Sequence, residues 1–327
     1  MSQTRPAITS DRNRSSGARH ASRSRQRTTR ALKRGLLASA TALVVGVSHA
    51  LRAAPPSMRY LPADALTSVV GRIWPRMRVV RRNYARVLDL TGDDGRVHSI
   101  ARTSVRNFGR MAVDFLASCT MNPEEIWRWV TPTAEPYFKE AIAAGRGVIF
   151  AMPHMGSWDV AAAYAPAYGF PVTAVIENNL LAQIVDGARA NRQQGVRLVS
   201  LDQSMRALFI ALKHNEGVVL LSDIIPGSVQ ATRVPFFGRL AAFPTGPARL
   251  AVRTGAPIVI ISAVRLADGR YAIEGLPPLW PDQRSAENDA IDQLTADLAS
   301  GFAQMIARYP EQWYPFHAIW EGEGDLA

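Results

Sequence analysis

Short apolar runs alternate with helical patterns between residues 147 and 264, and this alternation constrains the fold more than any other feature. The run Val148–Met152 follows a Gly-Arg-Gly sequence and contains no polar side chain. A bounded run of this length is typical of a strand buried on both faces of a sheet. Similar runs lie at 171–176, 196–201, 217–222 and 256–264, and helical patterns separate them at 158–168, 180–194, 205–213 and 246–253. The sequence therefore predicts an α/β fold with a mixed central sheet flanked by helices.

The region before this alternation is patterned as helices. Apolar residues recur every three or four positions across 76–117, and Thr91-Gly-Asp-Asp-Gly95 marks a turn between two helices. Another helix is predicted at 137–144, and a last one over 291–305 ends before Pro310. Asp268-Gly269 predicts a hairpin turn. The Pro- and Gly-rich stretch around 235–244 is interpreted as an exposed loop.

Positive charge is concentrated at the N-terminus. The chain carries a net charge of +11, but residues 1–34 hold ten basic residues and one acid, Asp11, so the other 293 residues carry only +2. This tail has no aromatic residues, which argues against nucleic-acid binding. Its low apolar content predicts a disordered basic tail. Attraction to an anionic membrane, at about 1 kcal/mol per basic residue, fits better.

An uncharged run of 17 residues, 35–51, follows the tail. It is close to the roughly 20 residues of a membrane span, resembles the apolar region of a signal peptide, and also suits an interfacial segment. Its Ala, Gly, Ser and Thr residues make it only mildly hydrophobic, and the basic region before it is long for a signal peptide. We predict a membrane-associated segment at 35–52 on the cytoplasmic side, followed by one folded domain at 53–327.

His154 and Asp159 are the first candidates for chemistry, in the segment Pro153-His-Met-Gly-Ser-Trp-Asp159. His154 directly follows a predicted strand, and ligands gather at the carboxyl ends of strands in open α/β sheets. On a continuous helix the two residues would lie about 140° apart, so they meet only if the backbone is irregular, which Gly156 permits. A carboxylate on one imidazole nitrogen would make the other a general base. On spacing alone, a structural histidine at the helix start is an equal alternative.

Other kinds of site are disfavoured. Cys119 is the only cysteine and lies in an apolar stretch without a neighbouring histidine, so a buried structural thiol is expected rather than a nucleophile. The His154–Asp159 spacing is not that of helical metal ligands, and no metal is expected. Ser157 lacks the second glycine of a nucleophile elbow.

The segment 153–159 resembles the His-x-Gly-Asn-Trp-Asp/Glu block of bacterial lipid A late acyltransferases and phosphatidylinositol mannoside acyltransferases, within the lysophospholipid acyltransferase superfamily. Ser157 stands where these proteins usually have Asn. The resemblance covers most of 75–320, with further blocks in the same order at 81–88, 235–238, 244–251, 254–258 and 310–314.

This resemblance implies transfer of a fatty acyl group from acyl-CoA or acyl carrier protein to a hydroxyl of a membrane glycolipid, with no cofactor. His154 would be the general base and Asp159 its partner, and the lack of a nucleophile favours direct transfer. A phosphatidylinositol mannoside is the preferred acceptor, and lipid A-type or lysophospholipid acylation is the alternative. A thioesterase and a catalytically silent lipid-binding protein are alternatives from other classes. The expected location is the cytoplasmic face of the plasma membrane.

The resemblance also nominates substrate-binding residues. Glu177, Arg192 and Asp223 match charged positions of the family's active-site region, and Arg192 would contact donor phosphates or hold an acidic residue. Ordinary surface charges are the alternative for Glu177 and Arg192. Phe236 and Phe237 would line an acyl groove or touch the bilayer, with core packing as the alternative.

Overall fold

The computed structural model describes residues 35–176, 183, 184, 187, 195–200, 204–225 and 229–320. The predicted basic tail at 1–34 lies outside the described residues, as do Glu177, Arg192 and most of the helix predicted at 180–194.

Seven strands form a mixed sheet in the order β1-β9-β8-β2-β5-β3-β4. All neighbours are parallel except β8 and β9, which form the antiparallel hairpin predicted at Asp268-Gly269. A separate antiparallel pair consists of β6 and β7. The strands are β1 Val130–Thr131, β2 Val148–Met152, β3 Val172–Ile176, β4 Val196–Ser200, β5 Gly217–Leu221, β6 Ala231–Phe236, β7 Arg239–Pro244, β8 Ile258–Arg265 and β9 Tyr271–Gly275. The predicted α/β class and mixed sheet are confirmed.

Helices precede the sheet and cover it. They are α1 Gly35–Ala53, α2 Pro56–Arg59, α3 Leu61–Ile73, α4 Met77–Val87, α5 Gly95–Ser118, α6 Pro123–Trp129, α7 Glu135–Ala143, α8 Trp158–Ala167, α9 Ser204–Lys213, α10 Gly246–Thr254 and α11 Glu287–Arg308. The sequence-predicted helices at 76–117, 137–144, 158–168, 205–213, 246–253 and 291–305 are confirmed. The helical N-terminal part is also confirmed, and it begins earlier than the pattern at 76 indicated.

The prediction of a loop around 235–244 is wrong, because this stretch forms the β6–β7 hairpin. Phe237 and Gly238 connect the strands with φ angles of 46° and 76°. Two successive residues with positive φ are characteristic of a type I′ turn. A phenylalanine rarely adopts this conformation, and Pro235 interrupts the strand pattern, so the hairpin has no recognisable signal in the sequence.

The sheet is buried on both faces. Ile149 and Ala151 of β2 pack into one hydrophobic cluster, which includes Phe302 of α11, while Phe150 packs into a second cluster on the opposite face. Phe150 stacks on Phe138 of α7 with ring centroids 5.2 Å apart. Full burial of an isoleucine or phenylalanine side chain contributes about 1.5–3 kcal/mol to the free energy of unfolding. This contribution explains why β2 is apolar at every position.

The C-terminal half of α1 is attached to the folded body. Ser48 donates a hydrogen bond to the carbonyl of Ala117 at 2.9 Å, and Arg52 forms an ion pair with Glu125. Cys119 is fully buried among apolar side chains that include Val44, as expected of a structural thiol. Among the described residues, α1 is the one helix with the length and mean hydropathy, 1.5, of a membrane span, and a signal sequence would show the same properties.

Candidate active site

The backbone changes direction sharply after His154. Gly156 has a φ of 59°, and a Cβ atom there would lie 2.0 Å from the carbonyl oxygen of Ala263, so only glycine fits. Helix α8 then begins at Trp158, with Ser157 at its N-cap accepting from the amide of Val160 at 3.4 Å. The irregular backbone predicted between His154 and Asp159 is therefore confirmed.

His154 is paired with Asp223. The Nδ1 atom of His154 lies 2.6 Å from Oδ1 of Asp223, and the backbone N–H of His154 donates to Oδ2 at 2.9 Å. Asp223 follows β5, the parallel neighbour of β2, in which Met152 is in register with Leu221. The two residues therefore meet because the carboxyl ends of adjacent parallel strands lie at one edge of the sheet.

The structure places Asp223, and not Asp159, at Nδ1 of the imidazole. Nδ1 can carry a single hydrogen, and that hydrogen is directed at Asp223. Asp159 lies in the first turn of α8 and accepts a hydrogen bond from the hydroxyl of Ser118 in α5 at 3.0 Å. A carboxylate in this position also interacts favourably with the helix dipole. The residue that orients His154 is thus Asp223, which lies 69 positions away in sequence.

A third residue, missed by the sequence analysis, fixes the carboxylate. Trp313 is fully buried, and its indole N–H donates to Oδ2 of Asp223 at 3.0 Å. The segment that carries Trp313 is itself held in place, because the amide of Tyr314 donates to the carbonyl of His154 at 2.9 Å. The resemblance at 310–314 was the one sequence signal for its involvement.

The electrostatics of the pair favour a basic imidazole. Burial alone would lower the pKa of His154, but the charge and hydrogen bond of Asp223 outweigh burial and raise this pKa above its usual value. For Asp223, burial opposes ionisation, but His154 and Trp313 together lower the pKa of the carboxyl group. The side chain of Asp223 is 2% exposed and that of His154 is 24% exposed, so the histidine is the partner that a substrate can reach.

His317 also lies within electrostatic range of the pair. Burial lowers its pKa, Asp223 acts in the opposite direction, and the charge of His154 lowers it further. Asn83 of α4 anchors this segment by donating to the carbonyls of Pro315 and His317 at 2.9 Å and 2.8 Å. The C-terminal segment that carries His317 is therefore held against α4.

The two predicted substrate-binding phenylalanines lie in different environments. Phe236 is 2% exposed, and it stacks on Trp320 with centroids 5.7 Å apart, so its burial supports the core-packing alternative. Phe237 is partly buried at the tip of the β6–β7 hairpin. Within the described part of the chain, no group of three or more His, Cys, Asp or Glu side chains is arranged to hold a metal ion.

Comparisons with known proteins identify similar sequences. The sequence model of a family described as bacterial lipid A biosynthesis acyltransferase matches residues 27–321. The chain is 28% identical over 251 residues to a phosphatidylinositol mannoside acyltransferase of Mycolicibacterium smegmatis, covering 74% of this chain and 78% of that protein. It is 29% identical over 254 residues to a phosphatidylinositol mannoside acyltransferase of Mycobacterium tuberculosis, covering 74% of this chain and 76% of that protein.

Proposed function

Because the chain belongs to the bacterial lipid A biosynthesis acyltransferase family, we propose that it acylates a hydroxyl of a phosphatidylinositol mannoside. Membership makes the chain a membrane-associated acyltransferase of lipid biosynthesis. The names of two similar proteins support this acceptor. The proposed donor is acyl-CoA or acyl carrier protein. The observation that carries the proposal is the His154–Asp223 hydrogen bond of 2.6 Å at the carboxyl edge of the sheet.

The proposed reaction is a direct transfer with His154 as general base. Since Nδ1 donates to Asp223, the lone pair on Nε2 accepts the proton of the acceptor hydroxyl as its oxygen attacks the thioester carbonyl. The tetrahedral intermediate collapses, the C–S bond breaks, and the imidazolium returns the proton to the departing thiolate. Asp223 stabilises the imidazolium between these two steps. Such proton transfer contributes typically about 10²–10⁴-fold to a rate.

Asp159 enters this proposal as a positioning residue. Its hydrogen bond from Ser118 ties the start of α8 to α5, and the start of α8 follows His154 by four residues. Glu177, Arg192 and Phe237 remain in the proposal as substrate-binding residues.

Exposed apolar surface in the N-terminal helices supports a position at the cytoplasmic face of the plasma membrane. In α3, Leu61, Leu66, Val69 and Ile73 are each more than half exposed, at spacings of three to five residues. An exposed apolar stripe on a surface helix favours burial in the headgroup region of a bilayer. Thioester donors are made in the cytoplasm, which selects that face.

The decisive test is transfer from radiolabelled palmitoyl-CoA to purified phosphatidylinositol mannosides in mixed micelles, with the lipid products separated by chromatography. Wild type should form a labelled lipid, and His154→Ala should form at least about 100-fold less. The control is His214→Ala, because His214 is exposed at the end of α9. This substitution should leave the amount of labelled lipid unchanged.

The outcomes separate the alternatives. If His154→Ala forms as much labelled lipid as wild type, the general-base mechanism is wrong. Free fatty acid without labelled lipid would identify a thioesterase, and lipid binding without either product would identify a silent lipid-binding protein. A lysophospholipid and a lipid A precursor are offered in parallel as unlabelled acceptors. If one of them gains the labelled acyl group instead, it replaces the proposed acceptor.

A further inference from the structure

A cavity of about 710 Å³ lies between α4 and the β6–β7 hairpin, apart from the catalytic pair. Arginines dominate its lining: Arg78, Arg81, Arg82 and Arg86 from α4, and Arg239 from the start of β7. Two acidic residues, Asp89 and Asp93, also line it, so positive charge is in excess. We refer to this cavity as the arginine pocket.

The spacing of the arginines places them on one face of α4. Arg78, Arg82 and Arg86 follow one another at four-residue intervals, which align side chains along a helix. Like charges at this spacing are mutually destabilising, so an anion beside them would be favourable. Arg81 contacts Nδ1 of His98 at 3.3 Å, which is not an anionic partner. This concentration of guanidinium groups indicates a face that is shaped for an anion.

The opposite wall is the tip of the β6–β7 hairpin. The turn residues Phe237 and Gly238 line the pocket, and their positive φ angles of 46° and 76° bring Arg239 back towards α4. Strained backbone at a non-glycine residue is maintained only where the surrounding structure supports it, and such positions cluster at ligand sites.

A series of three aromatic rings, each in contact with the next, connects the arginine pocket to the catalytic pair. Arg86 lies over the ring of Trp320 at 5.5 Å, and Trp320 stacks on Phe236. Phe236 in turn contacts Trp313 at 6.2 Å between ring centroids, and Trp313 donates to Asp223. A ligand group held by the arginines would therefore be positioned relative to His154 by rigid, buried side chains.

We propose that the arginine pocket binds a phosphate group of a substrate during acyl transfer. Guanidinium groups match phosphate oxygens bidentately, and several around one cavity form a specific phosphate site. The volume is in the range of a small-molecule site rather than of a single ion. The inference rests on the proposed function, which offers two sources of the same chemistry: the phosphates of coenzyme A and the phosphoinositol headgroup of the acceptor.

The test is direct binding of two water-soluble probes, coenzyme A and glycerophosphoinositol, to the full-length protein by titration calorimetry. The pocket variant combines Arg78→Gln, Arg81→Gln and Arg239→Gln. The matched control combines Arg128→Gln, Arg253→Gln and Arg270→Gln, which removes the same charge from exposed arginines that pair with neighbouring acids. Circular dichroism and thermal midpoints verify that both fold, and Arg78→Gln alone serves if the triple variant is unstable.

The pocket variant should bind one probe at least about tenfold more weakly, while the control stays within about twofold of wild type. Weaker binding of coenzyme A alone identifies the acyl donor as the source of the bound phosphate. Weaker binding of glycerophosphoinositol alone identifies the acceptor headgroup as that source. Unchanged affinity for both probes, or no binding of either by wild type, overturns the proposal. His154→Ala should bind the probes normally, so a failure of the catalytic proposal is distinguishable from a failure of this one.

Discussion

Trp313 donates its indole N–H to the same carboxylate oxygen of Asp223 that accepts the backbone N–H of His154. The backbone carbonyl of Trp313 in turn accepts hydrogen bonds from the hydroxyls of Tyr84, at 2.6 Å, and Ser104, at 2.9 Å. The carboxylate of Asp223 is therefore fixed by a residue whose own position is set by α4 and α5. The segment that carries Trp313 therefore connects the N-terminal helices to the edge of the sheet by hydrogen bonds.

Trp313→Phe should lower kcat about tenfold with a small change in KM, because the ring is retained while one hydrogen bond to a buried carboxylate is lost. The same loss should raise the pKa of the Asp223 carboxyl group, since the indole N–H lowers it in the wild type. Steady-state kinetics measure the first effect. Trp280→Phe is the control because Trp280 is 46% exposed. An unchanged kcat in Trp313→Phe would mean that the carboxylate does not depend on this bond.

Activity should rise with pH through the pKa of His154, because only the neutral imidazole accepts a proton. Asp223 raises this pKa above its usual value of 6.5, so the acidic limb of kcat/KM should lie above that value in the wild type. In Asp223→Asn, burial would act without the opposing charge, and the limb should move to lower pH. The maximal rate should also fall by about 10²–10⁴-fold, since the imidazolium loses its partner. A limb that keeps its position in Asp223→Asn would refute this assignment.

Gly156→Ala should destabilise the protein by more than about 3 kcal/mol, because the added methyl group would meet the carbonyl of Ala263 as well as a left-handed backbone. Gly145 offers a matched control. Its φ is 67°, but a Cβ atom there would have nothing within 4 Å, so Gly145→Ala should cost only about 1 kcal/mol. Urea denaturation of both variants measures the difference, and equal losses would show that the close contact at Ala263 relaxes without cost.

Asp114 should contribute far more to stability than an acidic residue at the exposed surface. It is fully buried and accepts hydrogen bonds from the hydroxyls of Tyr60 and Tyr271, both at 2.6 Å, and from Arg265 at 3.1 Å. Burial raises the pKa of its carboxyl group, and these partners oppose that effect. Asp114→Ala leaves the guanidinium of Arg265, whose side chain is only 16% exposed, without its anion and should cost about 3–5 kcal/mol.

Asp268→Ala is the comparison for Asp114→Ala, because Asp268 pairs with Arg270 at the exposed surface and should change stability by less than about 1 kcal/mol. Both free energies of unfolding come from urea titrations at neutral pH. Similar values for the two variants would show that the interactions of Asp114 stabilise the fold no more than an exposed ion pair does.

The sequence was sufficient for the parts of the fold that local patterns determine. β2 was predictable because every residue in it is buried, and this also placed His154 at a strand end. The order of strands was not predictable, since β2, β3, β5 and β8 are all predominantly apolar and nothing local indicates that β5 pairs with β2. Local spacing therefore cannot indicate Asp223 as the partner of His154, and the family resemblance implies Asp159 in that role.

The roles of Asp159 and Asp223 can be separated by their effects on the titration of His154. Asp223→Asn should shift the acidic limb of kcat/KM to lower pH, because the carboxylate on Nδ1 is removed. Asp159→Asn should leave that limb in place, since Asp159 accepts from Ser118 and the charge and hydrogen bond that raise the pKa of His154 come from Asp223. It should instead lower kcat by loosening the start of α8, and Ser118→Ala should reproduce part of that loss. If Asp159→Asn moves the limb as far as Asp223→Asn does, Asp159 is the carboxylate that works with His154 during the reaction.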